Sequence, residues 1–295
     1  MRKMDKKVFD IIIIGAGPAG VSASLYAKRA NKDVLVLYHG VSQLEKAHKI
    51  DNFYGFPNGI EGAQLYRNGI IQMINLGVEV EEKEVLGVEM NADGTYTVTT
   101  KEDGFVATAV IFATGNKKIR PNIKGVKEFE GRGISYCAIC DGFFYRDKNV
   151  AVLGNGDYAL SEASELKNIA KSVTVFTNGL PAPETEFSVV TEKISEIKGE
   201  MKVGFIVLEN GEEMPIDGIF IAQGVAGGAD FAKKLGVKAD GDRIVTDEKM
   251  QTNLKGVFAC GDLTGDLYQV SKAVCDGAKA GLAVVEYIKN LTDKE

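Results

Sequence analysis

Apolar residues in this chain fall into short β-branched runs that end at glycine. They alternate with longer stretches in which apolar positions recur every three or four residues. Val8–Ile14 is apolar except at Asp10 and stops at Gly15. A run of this length and composition predicts a strand buried on both faces, as in a parallel sheet. Val21–Arg29 reads as a helix, Val34–Leu37 as a second buried strand and Gly62–Asn75 as a second helix. Val85–Met90 and Thr95–Thr99 flank Asn91-Ala-Asp-Gly94, which predicts a hairpin. Ala107–Ala113 predicts a further buried strand ending in Ala113-Thr114-Gly115. The alternation then restarts with a strand at Asn149–Leu153, a helix at Leu160–Ile169 and a strand at Val173–Phe176. Phe205–Leu208, a turn at Asn210-Gly211, and Gly218–Ala222 follow, then a strand at Gly256–Cys260 and a closing helix at Gln269–Ile288. Strands alternating with helices predict an α/β fold.

Both restarts carry a glycine pattern at the strand–helix junction. The first is Gly15-Ala-Gly17-Pro-Ala-Gly20. In the order strand, G-x-G-x-x-G, helix, Gly15 makes the tight turn, Gly17 lets a pyrophosphate approach the backbone, and Gly20 lets the helix lie against the strand. The helix start offers free N–H groups to an anion. The other reading is a tight turn that binds nothing. The second junction, Gly154-Asn-Gly156-Asp-Tyr-Ala159, puts alanine at the third glycine position. The chain therefore holds two nucleotide-binding βαβ starts. A ribose-binding acid is expected after the first unit's second strand, but Tyr38-His39 stands there, which weakens a simple NAD reading. The loop from Gln43 to Pro57 is too long for a plain connection and reads as functional; His48 within it reads as a solvated side chain rather than a catalyst. Gly261-Asp262 at a strand end places an acid where it can bind a ribityl or ribose hydroxyl, and the N-terminus of the last helix can face the same ligand.

The chemistry centres on Cys137-Ala-Ile-Cys140-Asp141-Gly142. Two cysteines three apart fit one helical turn, and a thiol at a helix start is activated as thiolate. Asp141 can move protons during thiol exchange. Half a zinc site and a structural disulfide are the alternatives. Zinc needs four ligands, and the sequence holds no second Cys-x-x-Cys and no spaced histidine pair. Cys260 and Cys275 sit among small apolar residues and read as buried, inert thiols. Composition narrows the class. The 295 residues allow one large or two ordinary domains, 45% hydrophobic and 26% charged residues are ordinary for a globular chain, and the net charge of −6 argues against nucleic acid as main partner. With no run of 18 apolar residues, no export signal and four cysteines, the expectation is a cytoplasmic protein without a membrane span. Residues 116–132 carry Lys117, Lys118, Arg120, Lys124, Lys127 and Arg132, which reads as a linker or a solvated charged face.

Gly15-Ala-Gly-Pro-Ala-Gly20, Ala113-Thr-Gly115, Cys137-Ala-Ile-Cys-Asp-Gly142 and Gly256-Val-Phe-Ala-Cys-Gly-Asp262 follow the order of the low-molecular-weight thioredoxin reductases, and the resemblance spans nearly the whole chain. It implies a pyridine-nucleotide-disulfide oxidoreductase of class II with two Rossmann-like domains. Residues 1–116 and 244–295 would form a discontinuous FAD domain, and residues 117–243 an inserted NAD(P)H-binding-like domain with the dithiol. It implies FAD contacts at Gly15, Gly17, Pro18, Ala19, Gly20, Gln43, Asn52, Val85, Ala113, Thr114, Gly115, Gly261, Asp262, Gln269 and Val270. Cys137 and Cys140 would be the redox pair, with Asp141 the proton donor, thioredoxin the substrate and a homodimer the assembly. Members that use NADPH carry a small hydroxyl residue in the second loop and a His-Arg-Arg stretch after the next strand. Here Tyr158 and Thr177-Asn178-Gly179-Leu180 stand in those places, and the arginine usually found just before Gln269 is absent. Losing several phosphate contacts of roughly 1.5–3 kcal/mol each lowers affinity by orders of magnitude. The chain thus resembles the ferredoxin-dependent flavin branch, with Lys46, Lys49 and the basic linker as a candidate ferredoxin surface. An NADPH-dependent reductase with an atypical pocket is the alternative, followed by a reductase for another thiol carrier and a non-catalytic redox sensor.

Overall fold

A computed structural model of the chain describes residues 7–115, 121–136, 138–223, 228–241, 243–265 and 267–293. The first unit opens with β1 (Val8–Ile14), α1 (Pro18–Arg29), β2 (Val34–Tyr38), α2 (Gly62–Asn75), β3 (Glu79–Glu82), β4 (Val85–Met90), β5 (Tyr96–Thr100) and β6 (Gly104–Phe112). The chain then enters a second unit with α3 (Val126–Phe129), β7 (Ile134–Ser135), α4 (Ala138–Asp141), β8 (Asn149–Leu153), α5 (Asp157–Lys167), β9 (Ser172–Phe176) and β10 (Ser188–Val190). β11 (Ile194–Gly199), β12 (Val203–Leu208), β13 (Glu213–Pro215) and β14 (Gly218–Ile221) complete that unit. The return to the first unit adds α6 (Gly228–Lys234), β15 (Ala239–Asp240), β16 (Arg243–Ile244), β17 (Val257–Ala259) and α7 (Val270–Thr292).

In the first unit β3, β2, β1 and β6 run parallel, and β5 and β4 continue the sheet as an antiparallel meander. On the edge away from β1, β6 is long enough to serve two further neighbours: Gly104–Ala107 pair with β5, and Val110–Phe112 pair in parallel with β17. Ile11–Ile13, Leu35, Val36 and Ala109–Phe112 are fully buried, as expected of strands covered on both faces. α1 and α7 pack closely along a seam of small residues. A side chain on Gly277 would meet the Ala19 carbonyl oxygen at 2.1 Å, and one on Gly281 would meet that of Ala23 at 2.5 Å. The Ser22 hydroxyl donates to the Val274 carbonyl across the seam (2.7 Å). This seam holds the start of α7 beside the first glycine loop.

The second unit has a parallel sheet, β10-β9-β8-β14-β7, and an antiparallel β11-β12-β13 sheet. The two compact units are Met1–Lys117 with Gly227–Glu295, and Lys118–Ala226. The return boundary therefore falls at 226/227, ahead of the boundary expected at 243/244. Residues 228–241 pack with the first unit, where the Lys238 amide donates to Asn253 Oδ1 (2.7 Å) and Asn253 Nδ2 donates to the Gly236 carbonyl (3.1 Å).

Candidate functional sites: two glycine loops and a dithiol turn

The two glycine loops are built by the same bonds. The Gly15 amide donates to the Leu37 carbonyl (2.7 Å) and the Ala113 amide to that of Ile14 (2.8 Å). In the second unit the Gly154 amide donates to Phe176 (2.9 Å) and the Ala222 amide to Leu153 (2.8 Å). A side chain on Gly15 (φ 112°) would strike the Ala113 carbonyl oxygen at 2.4 Å, and one on Gly154 would strike that of Ala222 at 2.2 Å. Each turn thus sits at the carboxyl ends of three parallel strands, where α/β sheets bind ligands. Gly20 is required by packing: its Cβ would lie 1.8 Å from the Gly15 carbonyl oxygen.

Gly17 has no such reason. Its φ of −73° suits any residue, and a Cβ there would meet nothing within 4 Å. The bare backbone faces open space at the start of a twelve-residue helix, with Pro18 at its first position. That is the arrangement a pyrophosphate needs, so the residues fit FAD here. Ala16, Pro18, Leu44, Phe53, Phe56 and Val270 are among the residues around an apolar cavity of about 390 Å³ beside the loop.

The structure brings several expected contacts together around this loop. Gly261 (φ 75°) presses against α1, where its Cβ would lie 2.8 Å from that of Ala19, and Asp262 follows in the same 3₁₀ turn. Asn52 Nδ2 donates to Gln269 Oε1 (2.9 Å), joining positions 217 residues apart. Gln43 opens a 3₁₀ turn fixed by a Ser42–Glu45 capping box. The Ile50–Ile60 bridge closes the long loop, and His48 is exposed in it. Thr114 and Gly115 (φ 70°) leave the end of β6. Val85 is buried at the start of β4, just past the Lys83 N–H···O=C Tyr38 bond (2.8 Å). Burial raises the carboxyl pKa of Asp262; nearby Lys272 offsets that rise only in part, and Asp276 adds to it. Lys272 Nζ donates to the Gly261 carbonyl (2.5 Å) and pairs with Asp276 (2.7 Å).

Cys137 lies outside the described residues, and Cys140 enters here only through its place in α4. That helix is one turn long and runs into a 3₁₀ turn, Gly142–Tyr145. Asp141 is held by the Ser135 hydroxyl, which donates to its Oδ2 (2.6 Å). The backbone on either side of Cys137 is held by α5. The Tyr158 hydroxyl donates to the Tyr136 carbonyl (3.3 Å), and the Ala138 amide donates to Glu162 Oε2 (2.6 Å). Tyr158 and Glu162 are 3% and 1% exposed. Sequence reading did not single out Glu162, because a glutamate in an amphipathic helix resembles a solvated position. It also passed over Phe143 and Phe144, each 68% exposed, although two adjacent aromatics after a dithiol are a visible signal.

One expectation fails. Cys260 is buried, and burial pushes its thiol pKa up, but Cys275 is exposed because it lies on the outward face of α7. The basic surface is also partly neutralised: Lys124 pairs with Glu196 and Lys49 with Asp51, both at 2.7 Å. Lys117, Lys118 and Arg120 lie outside the described residues, as does the Lys46 side chain. Among the described residues no helix is long and apolar enough to cross a membrane, and no cluster of three metal-ligating side chains occurs.

The sequence profile of the family described as "Pyridine nucleotide-disulphide oxidoreductase" matches residues 9–181 and 186–277. The chain is 33% identical to a thioredoxin reductase of Listeria innocua, over 98% of this chain and 97% of that one. It is similar to the crystal structure of an atypical thioredoxin reductase, TRi, from Desulfovibrio vulgaris Hildenborough. The TM-score there is 0.87 at 37% identity, covering 96% of this chain and 99% of the other. A ferredoxin-flavin thioredoxin reductase from Clostridium acetobutylicum superimposes with a TM-score of 0.69 at 32% identity, covering 96% and 98%.

Proposed function

Because this chain belongs to the low-molecular-weight thioredoxin reductases of the pyridine nucleotide-disulphide oxidoreductase family, we propose that it reduces thioredoxin through FAD and a Cys137–Cys140 disulfide, with reduced ferredoxin as electron donor. Bound FAD would take electrons singly from an iron–sulfur carrier and deliver a pair to the disulfide. Gly15, Gly17, Pro18, Ala19 and Gly20 hold its pyrophosphate in this reading. Asp262 accepts from a hydroxyl, while Gln43, Asn52, Gln269 and Val270 line the remainder. Ala113, Thr114 and Gly115 border the loop, and Val85 borders the adenosine end. On the family's pattern Cys140 would be the sulfur that takes electrons from the flavin. The Cys137 thiolate attacks one sulfur of the thioredoxin disulfide and releases the other as a thiolate, which Asp141 protonates. Cys140 then resolves the mixed disulfide and restores the enzyme's own bond. The exposed pair Phe143 and Phe144 offers thioredoxin an apolar landing beside the dithiol.

The donor assignment rests on one observation: the second glycine loop keeps its backbone but spends its side chains on the fold. Tyr158 is buried under the dithiol segment. Asn178 sits at φ 53° with its Oδ1 accepting from the Ile194 amide (2.8 Å). NADPH-dependent members place their cations at that turn, whereas residues 177–180 here contain no Lys or Arg. The Clostridium acetobutylicum enzyme, whose name records ferredoxin, supports the reading. A second reading, NADPH dependence through an atypical pocket, draws on Lys193, whose methylenes lie across Gly179. A lysine is a single point charge and lacks the forked grip of arginine on a 2′-phosphate.

A homodimer built on the first unit suits the exposed Tyr26, Ile71 and Ile74 on α1 and α2. Cys137→Ser tests the reaction: the variant retains bound flavin that still accepts electrons, and it loses thioredoxin turnover. Turnover within tenfold of wild type would remove Cys137 from the mechanism.

A further inference from the structure

The first turn of α7 carries a lysine at an end where a helix favours acids. Lys272 is the third residue of that helix, so its charge opposes the helix dipole. Its partner Asp276 lies four residues on, which is the less favourable order for such a pair. The two side chains are only 18% and 9% exposed. Helix stability gives no reason for a largely buried cation here, but its bonds do. Lys272 Nζ lies 2.5 Å from the Gly261 carbonyl oxygen, 2.7 Å from Asp276 Oδ2 and 3.2 Å from Thr264 Oγ1. Those three acceptors occupy every N–H an ammonium group has. The shortest bond falls on the carbonyl just ahead of Asp262.

Resting on the FAD reading above, we propose that Lys272 is a positioning residue for the flavin: by taking the Gly261 carbonyl it fixes the turn that carries Asp262, and so sets how tightly the cofactor is held. Gly261 needs such a hold. It has no Cβ and sits at φ 75°, so its own backbone preference is weak. Its carbonyl and the Asp262 amide share one rigid peptide plane, and pinning the oxygen therefore orients the plane from which the Asp262 side chain leaves. Thr264 closes the turn, with its amide and its hydroxyl each 3.0 Å from the same oxygen. The lysine ties this turn to the first turn of α7, where Gln269 and Val270 lie. The charged groups that act on Asp262 are Lys272 and Asp276, both from α7. From α1 the turn meets Ala19, and the buried thiol of Cys260 stays neutral.

The test is a titration of FAD into the flavin-stripped full-length protein, followed by quenching of the cofactor's fluorescence. Lys272→Met keeps the stem and removes all three donors, and its dissociation constant is expected to rise at least tenfold. In an Asp262→Ala background the same substitution should add less than threefold, since the group being positioned is gone. A general loss of packing would weaken binding equally in both backgrounds. Lys272→Met/Asp276→Asn removes the carboxylate left unpaired. Flavin-free, it should melt within a few degrees of wild type yet bind FAD as weakly as Lys272→Met. Lowering the pH should weaken FAD binding as Asp262 takes up a proton, and in Lys272→Met that loss should begin at higher pH, because Asp276 then acts on Asp262 with no cation beside it. Binding within twofold of wild type in Lys272→Met overturns the proposal. So does an equal loss in the Asp262→Ala background, recovery of affinity in the double variant, or an unmoved pH profile. A wild-type protein that takes up no FAD sinks the flavin reading itself, and that result shows before any substitution is made.

Discussion

A methyl group placed on Gly20 would sit 1.8 Å from the Gly15 carbonyl oxygen, whereas one placed on Gly17 would meet no protein atom within 4 Å. The two substitutions should therefore fail differently. Gly20→Val breaks the junction of β1 and α1 and destabilises the fold. Gly17→Val leaves the flavin-free protein melting within a few degrees of wild type but lowers flavin content severalfold after purification. Thermal melting and flavin absorbance separate the two, and a loss of fold at Gly17 would contradict the assignment of that space to a ligand. Asp262 carries a pH signature at the same scale. Its carboxyl pKa is raised by burial, so the folded protein binds a proton there more tightly than the unfolded chain does. Its charge therefore opposes folding above the raised folded-state pKa, and that penalty fades as pH falls toward the unfolded value near 3.8. Asp262→Asn should raise the stability of the flavin-free protein at neutral pH and weaken flavin binding. The stability gain over wild type should shrink in acid; a gain that grows in acid would contradict the sign of the shift.

The longer buried strands β1, β2, β6, β8, β9 and β14 and the helix at Gly62–Asn75 were legible as elements, because strands covered on both faces must be apolar throughout. β3 was not, because Glu79-Val-Glu-Glu82 is an acidic edge strand held by its backbone pairing with β2. β11 and β13, with charges along their exposed faces, were hidden for the same reason. The glycine loops and the dithiol were visible as motifs, since backbone geometry and sulfur chemistry restrict which residues serve. The Asn52–Gln269 bond and the Glu162 grip join residues distant in sequence, with nothing periodic to mark them. Cys275 was misplaced because its small apolar neighbours lie on the packed face of α7 while it points outward. The packed face itself is open to test. Gly277→Val drives a side chain into the Ala19 carbonyl at 2.1 Å. Overpacking of this kind costs about 1–3 kcal/mol or more. Chemical denaturation should show that loss, together with loss of flavin, since α7 carries Gln269 and Val270 to the loop.

At the scale of the molecule, two copies of one nucleotide-binding plan have diverged in the use of their side chains. The first keeps an unfilled approach at Gly17. The second has turned the face of its helix toward the dithiol segment, with Tyr158 and Glu162 buried where they hold backbone rather than ligand. On the proposed reading, a chain organised this way has a flavin site and a dithiol but little left to grip a pyridine nucleotide. An anaerobic titration that follows flavin absorbance tests this most directly. Reduced ferredoxin should bleach the bound flavin at two electrons per FAD, with NADPH and NADH leaving it oxidised over the same period. Rapid bleaching by one equivalent of NADPH would contradict the account of the donor.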